Sequence, residues 1–330
     1  MRKEHLKYLV CPQCGANLAV SEVSKRRGSS IETGTLQCVH CSEEYPIIHC
    51  VPRFVPLDNY ASGFGFQWTR HARTQYDSYN GSNVSERRFF DETKWDRDLT
   101  GQSILEVGSG SGRFTEQAAE TGAMVVSMDY SYAIEANYAS NGGKRNVLIV
   151  QADIYCMPFK KRFFDKIFCL GVLQHTPHVK RAFMSLPPYL RCGGELVIDI
   201  YKRTITATWL STKYYVRPFT RRMQPQRLYR MIEKYINLMW PLALLLARIP
   251  YVGHAVNSRL LIAEYSGYGF SGNILKEMAC LDTFDMLAPR YDKPQRIETV
   301  TSWFAEAGLQ EARIWIGYNG IVGSGKCVHE

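Results

Sequence analysis

The chain of 330 residues is longer than one ordinary domain and has room for a large α/β core plus an accessory unit. Apolar residues at 45% and charged residues at 22% are ordinary for a soluble globular protein; no basic-apolar leader opens it, and the longest apolar run, Leu238 to Ala247, is too short to cross a bilayer. The expectation is therefore a cytoplasmic protein without a spanning segment, with peripheral membrane contact left open. The net charge is +9, and Lys202 to Lys234 holds nine cations against the single anion Glu233, so the excess is a local patch suited to phosphate, RNA or an anionic membrane.

Residues 1–55 read as one unit. Cys11-Pro12-Gln13-Cys14 and Cys38-Val39-His40-Cys41 are two C-x-x-C knuckles 23 residues apart. Each presents two thiolates, and together they complete the tetrahedral shell that Zn²⁺ favours. So small a segment builds little core of its own, and metal binding is expected to supply most of its folding free energy. His40, His49 and Cys50 are substitute ligands. With Tyr45-Pro46-Ile47 and Val51-Pro52-Arg53-Phe54 behind the knuckles, the unit resembles the zinc ribbon of the tRNA-methyltransferase activator family. A closed four-thiolate site of this kind reads as structural zinc. Residues 56–100 follow as an aromatic connector that includes Phe64-Gly65-Phe66-Gln67-Trp68 and Trp95.

From Ser103 onward α/β alternation is regular, with strands expected near 103–107, 123–128, 146–151, 163–170 and 194–200 and helices near 112–121, 131–140 and 178–190. The first strand carries Glu106 and ends in Gly108-Ser109-Gly110-Ser111-Gly112, a turn that opens a helix. Glycines let backbone approach a ligand where a Cβ would clash, and the helix start offers free N–H groups. The second strand ends in Asp129, placed to accept from ribose hydroxyls, and the third is followed by Asp153-Ile154. The spacing is G-x-G-x-G and not G-x-G-x-x-G, and Glu106 suits a ligand ammonium but would repel a pyrophosphate.

On these residues, the stretch from about 100 to 200 resembles a class I S-adenosylmethionine-dependent methyltransferase. The resemblance implies an α/β fold with a Rossmann-like seven-stranded sheet, here carrying an N-terminal zinc ribbon and a helical lid insertion. It implies that Glu106 with Gly108, Gly110 and Gly112 holds the methionine part of S-adenosylmethionine, that Asp129 holds the ribose, and that Asp153 and Ile154 flank the adenine. Gln67 and Trp68 of the connector would close over the cosubstrate, and Tyr130 and Leu170 complete the expected cofactor-binding set. S-adenosylhomocysteine would be the product.

The substrate side is expected at the end of the fourth strand, in Leu173-Gln174-His175-Thr176-Pro177, where His175 is the leading general base. No Asn/Asp-Pro-Pro-Tyr closes that strand, and no Pro-Cys follows it. Leu186-Pro187-Pro188-Tyr189 lies at the end of the following helix, and Cys192-Gly193-Gly194 reads as a helix stop. Residues 201–295 read as a helical, basic substrate lid, and 296–330 as a helix and two strands that complete the core. In the lid, Leu281–Leu287 and Pro289–Gln295 read as loop-like. Asp282 and Asp285 are further candidate bases, and Tyr291, Asp292, Arg217 and Arg221 are candidate substrate ligands. The whole chain resembles bacterial methyltransferases with a fused zinc ribbon. The expectation is an O-methyltransferase for a small or lipid-linked metabolite that bears phosphate or sugar. Its rivals are an RNA or tRNA methyltransferase that uses the basic lid, a membrane-quinone methyltransferase and a non-catalytic zinc-ribbon adaptor.

Overall fold

The computed structural model describes residues 1–56, 61–203, 211–249, 251–263, 265–270 and 272–328. Residues 57–60 of the expected connector and 204–210, 250, 264 and 271 of the expected lid lie outside them. An N-terminal antiparallel sheet runs β1 (Leu18–Arg27), β2 (Ser30–Cys38), β3 (Glu44–Ile48) and β4 (Val51–Pro52) in sequential order. Three helices follow: α1 (Ser62–Arg70), α2 (Asp77–Asn80) and α3 (Val84–Thr93).

The main body is built from β5 (Ser103–Val107), α4 (Arg113–Glu120), β6 (Met124–Asp129), α5 (Ile134–Asn141), β7 (Val147–Gln151), β8 (Phe164–Cys169), α6 (Val179–Met184) and β9 (Leu190–Ile200). After the lid helices come α11 (Ile297–Glu306), β10 (Gln310–Gly317) and β11 (Gly320–Lys326). The seven strands are ordered β10-β11-β9-β8-β5-β6-β7. β5 to β9 are parallel, and the β10–β11 hairpin adds antiparallel to β9. The parallel strands are largely buried along their length because helices cover both faces. This is a Rossmann-like sheet, and its order reverses between β5 and β8, so their carboxyl ends diverge and leave a crevice.

β9 begins at Leu190, so Cys192-Gly193-Gly194 lies within a strand and is not a helix stop. The prolines of Leu186–Tyr189 form a short 3₁₀ turn that leads straight into it.

The N-terminal sheet docks on the outer strand of the main sheet. Phe54 N–H donates to Gln151 O at 2.8 Å and Val10 N–H to Pro158 O at 2.9 Å, so an open edge is covered. Leu9, Leu36 and Ile47 share one buried cluster with Leu105, Val126 and Leu148. The expectation that this unit lacks a core of its own is therefore modified, because it borrows the core of the main body.

The lid consists of α7 (Thr212–Thr220), α8 (Pro225–Ala247), α9 (Val252–Arg259) and α10 (Gly272–Leu287). Buried Leu228, Ile232 and Ile236 of α8 meet Ala279 and Phe284 of α10. The stretch Leu281–Leu287, expected as a loop, is the last two turns of α10. Arg217 bonds the carbonyls of Met286 and Pro289, each at 2.9 Å, and Thr220 Oγ that of Leu287 at 2.9 Å, so α7 satisfies carbonyls that the end of α10 would leave open.

Candidate active site

The glycine turn is built so that only glycine fits it. Gly112 has φ +95°, and a Cβ there would stand 2.2 Å from Asn137 Oδ1. Gly110 has φ +54°, and its Cβ would come within 3.0 Å of Trp68 Nε1, so the α1 indole lies directly over the loop. Asp129, at the end of β6, fastens the turn. Its Oδ2 accepts from Gly110 N–H at 2.9 Å, and its Oδ1 accepts from Ser131 N–H at 2.7 Å and Oγ–H at 2.6 Å. Burial raises the pKa of this carboxyl against those donated bonds.

Glu106 lies elsewhere than expected. It is 1% exposed, stands outside the cavity wall, and accepts from Thr115 Oγ–H. Asn137 donates to Thr115 Oγ at 3.0 Å and to Ser127 Oγ at 2.9 Å, and Asn141 links Asn137 to the Tyr76 hydroxyl and the Gly112 carbonyl. Glu106 is therefore part of a polar network behind the loop. Burial pushes its pKa up to about 7, with bonds from Thr115 and Ser127 opposing and the charge of Asp129 adding.

That shift has a consequence for stability. The folded pKa lies above the unfolded 4.5, so the fold favours the protonated acid, and stability falls as pH rises from about 4.5 through about 7. The loss is on the order of 3 kcal/mol at most. Glu106→Gln is expected to melt several degrees above the native protein at pH 8 and level with it near pH 5. Calorimetric melts that differ by the same amount at both pH values would refute this account.

Above the loop, at the divergence of β5 and β8, lies a cavity of about 400 Å³. Met128, Asp129, Tyr130, Ala152 and Ile154 line one side, and Leu170, Gly171 and Val172 another. α1 contributes Phe64, Gln67 and Trp68, and α10 contributes Met278, Asp282 and Asp285. His175 sits in the wall at the end of β8, with its ring against Phe64 and Tyr201. Its Nδ1 is 2.9 Å from Tyr291 O; a carbonyl only accepts, so Nδ1 carries a hydrogen and donates it. Asp285 accepts from Gln67 Nε2 at 3.2 Å and from the Tyr201 hydroxyl at 3.4 Å. Asp282 accepts from the Tyr265 hydroxyl, and burial pushes its pKa up to about 6, opposed by that bond and reinforced by the nearby charge of Asp285.

Of the residues expected from sequence, Gly108, Gly110, Asp129, Tyr130, Ile154, Leu170, Gln67, Trp68, His175, Asp282 and Asp285 border this one cavity. Glu106, Gly112 and Asp153 do not. Asp153 instead caps its own turn by accepting from Tyr155 N–H at 2.9 Å. The four expected substrate ligands are also outside the wall. Arg217 is spent on backbone carbonyls, and Asp292 pairs with Lys213 at 3.0 Å. Tyr291 supplies its carbonyl to His175 while its ring lies beneath Lys293, and Arg221 lies on the exposed end of α7. An extended sequence shows the side chains but not which of them the backbone has already claimed.

Several wall residues escape a reading of the sequence: Arg88, Arg113, Tyr201, Tyr265 and Asn319. Arg88 is neutralised by Asp199 and by Glu92 at 3.3 Å. Arg113 has no ion pair among the described residues and stacks over Phe114 at 4.4 Å, and burial lowers its pKa to about 10. Its place directly after the glycine turn is the one signal that could have singled it out.

The second cluster is Cys11, Cys14, Cys38 and Cys41, whose sulfurs all lie within 4.8 Å of one another. Cys14 and Cys38 sulfurs are 3.4 Å apart, and Cys11 and Cys41 sulfurs 3.6 Å. Tetrahedral zinc with bonds of about 2.3 Å would set such edges at roughly 3.8 Å. Cys50 and the histidines are not in the group.

Residues 105–198 match the family model described as a methyltransferase domain. The chain is 29% identical over 112 residues to a ubiquinone biosynthesis O-methyltransferase of Coxiella burnetii, a match that covers 33% of this chain and 47% of that protein. It is 28% identical over 116 residues to a tRNA U34 carboxymethyltransferase of Desulforapulum autotrophicum, covering 32% and 36%. The chain thus spans about half the length, or less, of the curated relatives it matches. Among solved structures it is similar to a Haemonchus contortus phosphoethanolamine N-methyltransferase in complex with phosphoethanolamine and S-adenosylhomocysteine, at 20% identity and a TM-score of 0.35, over 44% of this chain and 33% of that one. No described helix is long and apolar enough to cross a membrane. The chain carries a methyltransferase domain at residues 105–198.

Proposed function

We propose that the protein is an S-adenosylmethionine-dependent O-methyltransferase for a small or lipid-linked metabolite that bears phosphate or sugar. One observation carries the reading: a glycine turn fastened by Asp129 faces His175, Asp282 and Asp285 across a single cavity. The walls suit the cosubstrate. Gly110 leaves a cradle that a Cβ would fill, and Gln67 Oε1 and Ser109 Oγ are buried there without a hydrogen-bond partner among the described residues.

The Arg113 guanidinium would hold the carboxylate, Asp129 the ribose hydroxyls, and Tyr130 and Ile154 the adenine. Trp68 and Gln67 close the site and exclude water. When bound, S-adenosylmethionine supplies an electrophilic methyl group on a sulfonium. His175 is held by its Nδ1–H bond so that Nε2 takes the hydroxyl proton of the acceptor, while Asp282 and Asp285 accept from its other hydroxyls. The anionic part of the acceptor would meet exposed cations of the lid such as Arg221 and Arg222. The four cysteines would hold structural Zn²⁺ in a zinc ribbon. A second reading, RNA methylation, draws on the exposed cations Arg221, Arg222, Arg227 and Arg230.

Labelled-methyl transfer to a panel of hydroxyl-bearing acceptors and to RNA tests the reading. With an active acceptor, kcat/KM is expected to rise with pH through about 6 as Asp282 ionises. His175→Gln is expected to cut kcat by roughly 10²-fold, and the acidic limb left in that variant to vanish when Asp282→Asn is added. A double variant that keeps the acidic limb would overturn the assignment of Asp282.

A further inference from the structure

Five cations against the one acid Glu233, together with the chain's longest apolar run, fall on one helical hairpin, α8–α9, none of whose described residues lines the cavity. The outward face of α8 changes character along its length. Arg227, Arg230 and Lys234 stand out from the first half, and Leu238, Leu242 and Leu245 from the second, at helical spacing. Leu228, Ile232, Ile236 and Ala243 are buried on the opposite side. The chain then passes through Ile249, Tyr251 and Val252 into α9. Leu238 is 78% exposed, Leu245 58% and Tyr251 93%, so the apolar surface gathers at the hairpin tip. Asn257 Nδ2 donates to Ala243 O at 3.0 Å and ties the two helices together.

Contiguous apolar surface on a soluble protein marks a contact site. The charge around it identifies the partner. Between Thr212 and Ala263 the only acid is Glu233, which pairs with Arg70 at 3.7 Å. Arg227, Lys234, Arg248 and Arg259 are exposed and have no ion pair among the described residues. A second copy of the chain would bring like charges together across a two-fold axis. RNA would use the cations but leave the leucines wet, since aliphatic side chains offer bases no stacking surface. An anionic bilayer accepts both. The apolar half of α8, about ten residues long, measures roughly 15 Å, enough to lie in the interface and too short to cross it.

We propose that the α8–α9 hairpin docks the protein on an anionic membrane: Leu238, Leu242, Leu245, Ile249 and Tyr251 enter the edge of the hydrocarbon, and the flanking cations pair with headgroups. Trp240, on the side of α8 away from Leu238 and Leu242, packs in the same cluster as Trp68, Phe270 and Met278, so the docked helix adjoins the cavity roof by its other face. The membrane contact itself needs no methyl transfer. Its use for a lipid-linked acceptor rests on the function proposed above.

Flotation of the purified full chain with vesicles tests the idea, using phosphatidylcholine alone and phosphatidylcholine mixed with phosphatidylglycerol. The native protein is expected to float with the mixed vesicles and less so as salt rises. Leu245→Glu with Ile249→Glu should lower the bound fraction roughly tenfold or more, and Arg227→Glu with Arg230→Glu should weaken binding and flatten its salt dependence. Unchanged melting temperature and S-adenosylmethionine affinity in these variants separate a failure of docking from a failure of the methyltransferase reading. Absence of flotation on mixed vesicles overturns the proposal, as does flotation indifferent to the apolar pair. Binding of an RNA fragment without vesicle binding, or a dimer in sedimentation equilibrium that Leu245→Glu dissolves, assigns the face to another partner and also overturns it.

Discussion

Asp129→Ala is expected to lose measurable S-adenosylmethionine binding in calorimetry while the protein stays folded. The carboxylate does two jobs at once. It would accept from both ribose hydroxyls, and it holds Gly110 N–H at 2.9 Å, which sets the shape of the loop. Hydrogen bonds to a charged group contribute about 1.5–3 kcal/mol each, so losing two of them corresponds to about 10²- to 10⁴-fold in affinity. Burial already raises the pKa of this acid, so its removal takes away a costly group and should not lower the melting temperature much. Gly110→Val is the steric counterpart: its backbone is left-handed and its side chain would strike Trp68. Binding by Asp129→Ala equal to that of the native chain would remove Asp129 from the cosubstrate site.

The second large effect concerns the four cysteines. Stripping zinc, or replacing Cys38 by Ser, is expected to lower stability by several kcal/mol, because a four-thiolate site contributes its binding energy to the folded state alone. The shared core decides how far the damage spreads. Leu9, Leu36 and Ile47 pack with Leu105 and Val126, so the unit should loosen without the whole chain unfolding. Hydrogen exchange would show lost protection in β1–β4 and in the 151–159 stretch they brace, but not in β8 and β9. S-adenosylmethionine affinity should fall as well, since Arg53 Nη1 donates to Gln151 at 3.0 Å and Cys156 to the Pro12 carbonyl at 3.3 Å, both beside Ile154. Elemental analysis of reduced, freshly purified protein that finds no zinc would refute the site.

Local order along the chain determined a good deal here. The two C-x-x-C knuckles, the glycine turn after Ser103–Val107, and the acids that end or follow the next two strands are signals carried by neighbours in sequence, because backbone geometry and apolar period act over a few residues. The strands and helices from 103 to 200 could be read for the same reason, apart from the start of β9, where two glycines imitate a helix stop but pair as strand.

Only the tertiary structure decided which side chains remain available. Arg217 and Asp292 look in sequence like ligands, yet helix ends and buried charges must be satisfied, and the nearest partners in space had already taken them. Glu106 went to a network behind the loop because Thr115, Ser127 and Asn137, distant in sequence from one another, converge on it. Arg88, Tyr201 and Tyr265 reached the cavity wall only because α3, β9 and the lid fold over the crevice between β5 and β8. A hydrogen bond or a desolvated charge depends on what lies within a few ångströms, and for residues a hundred positions apart that distance does not exist until the chain has folded.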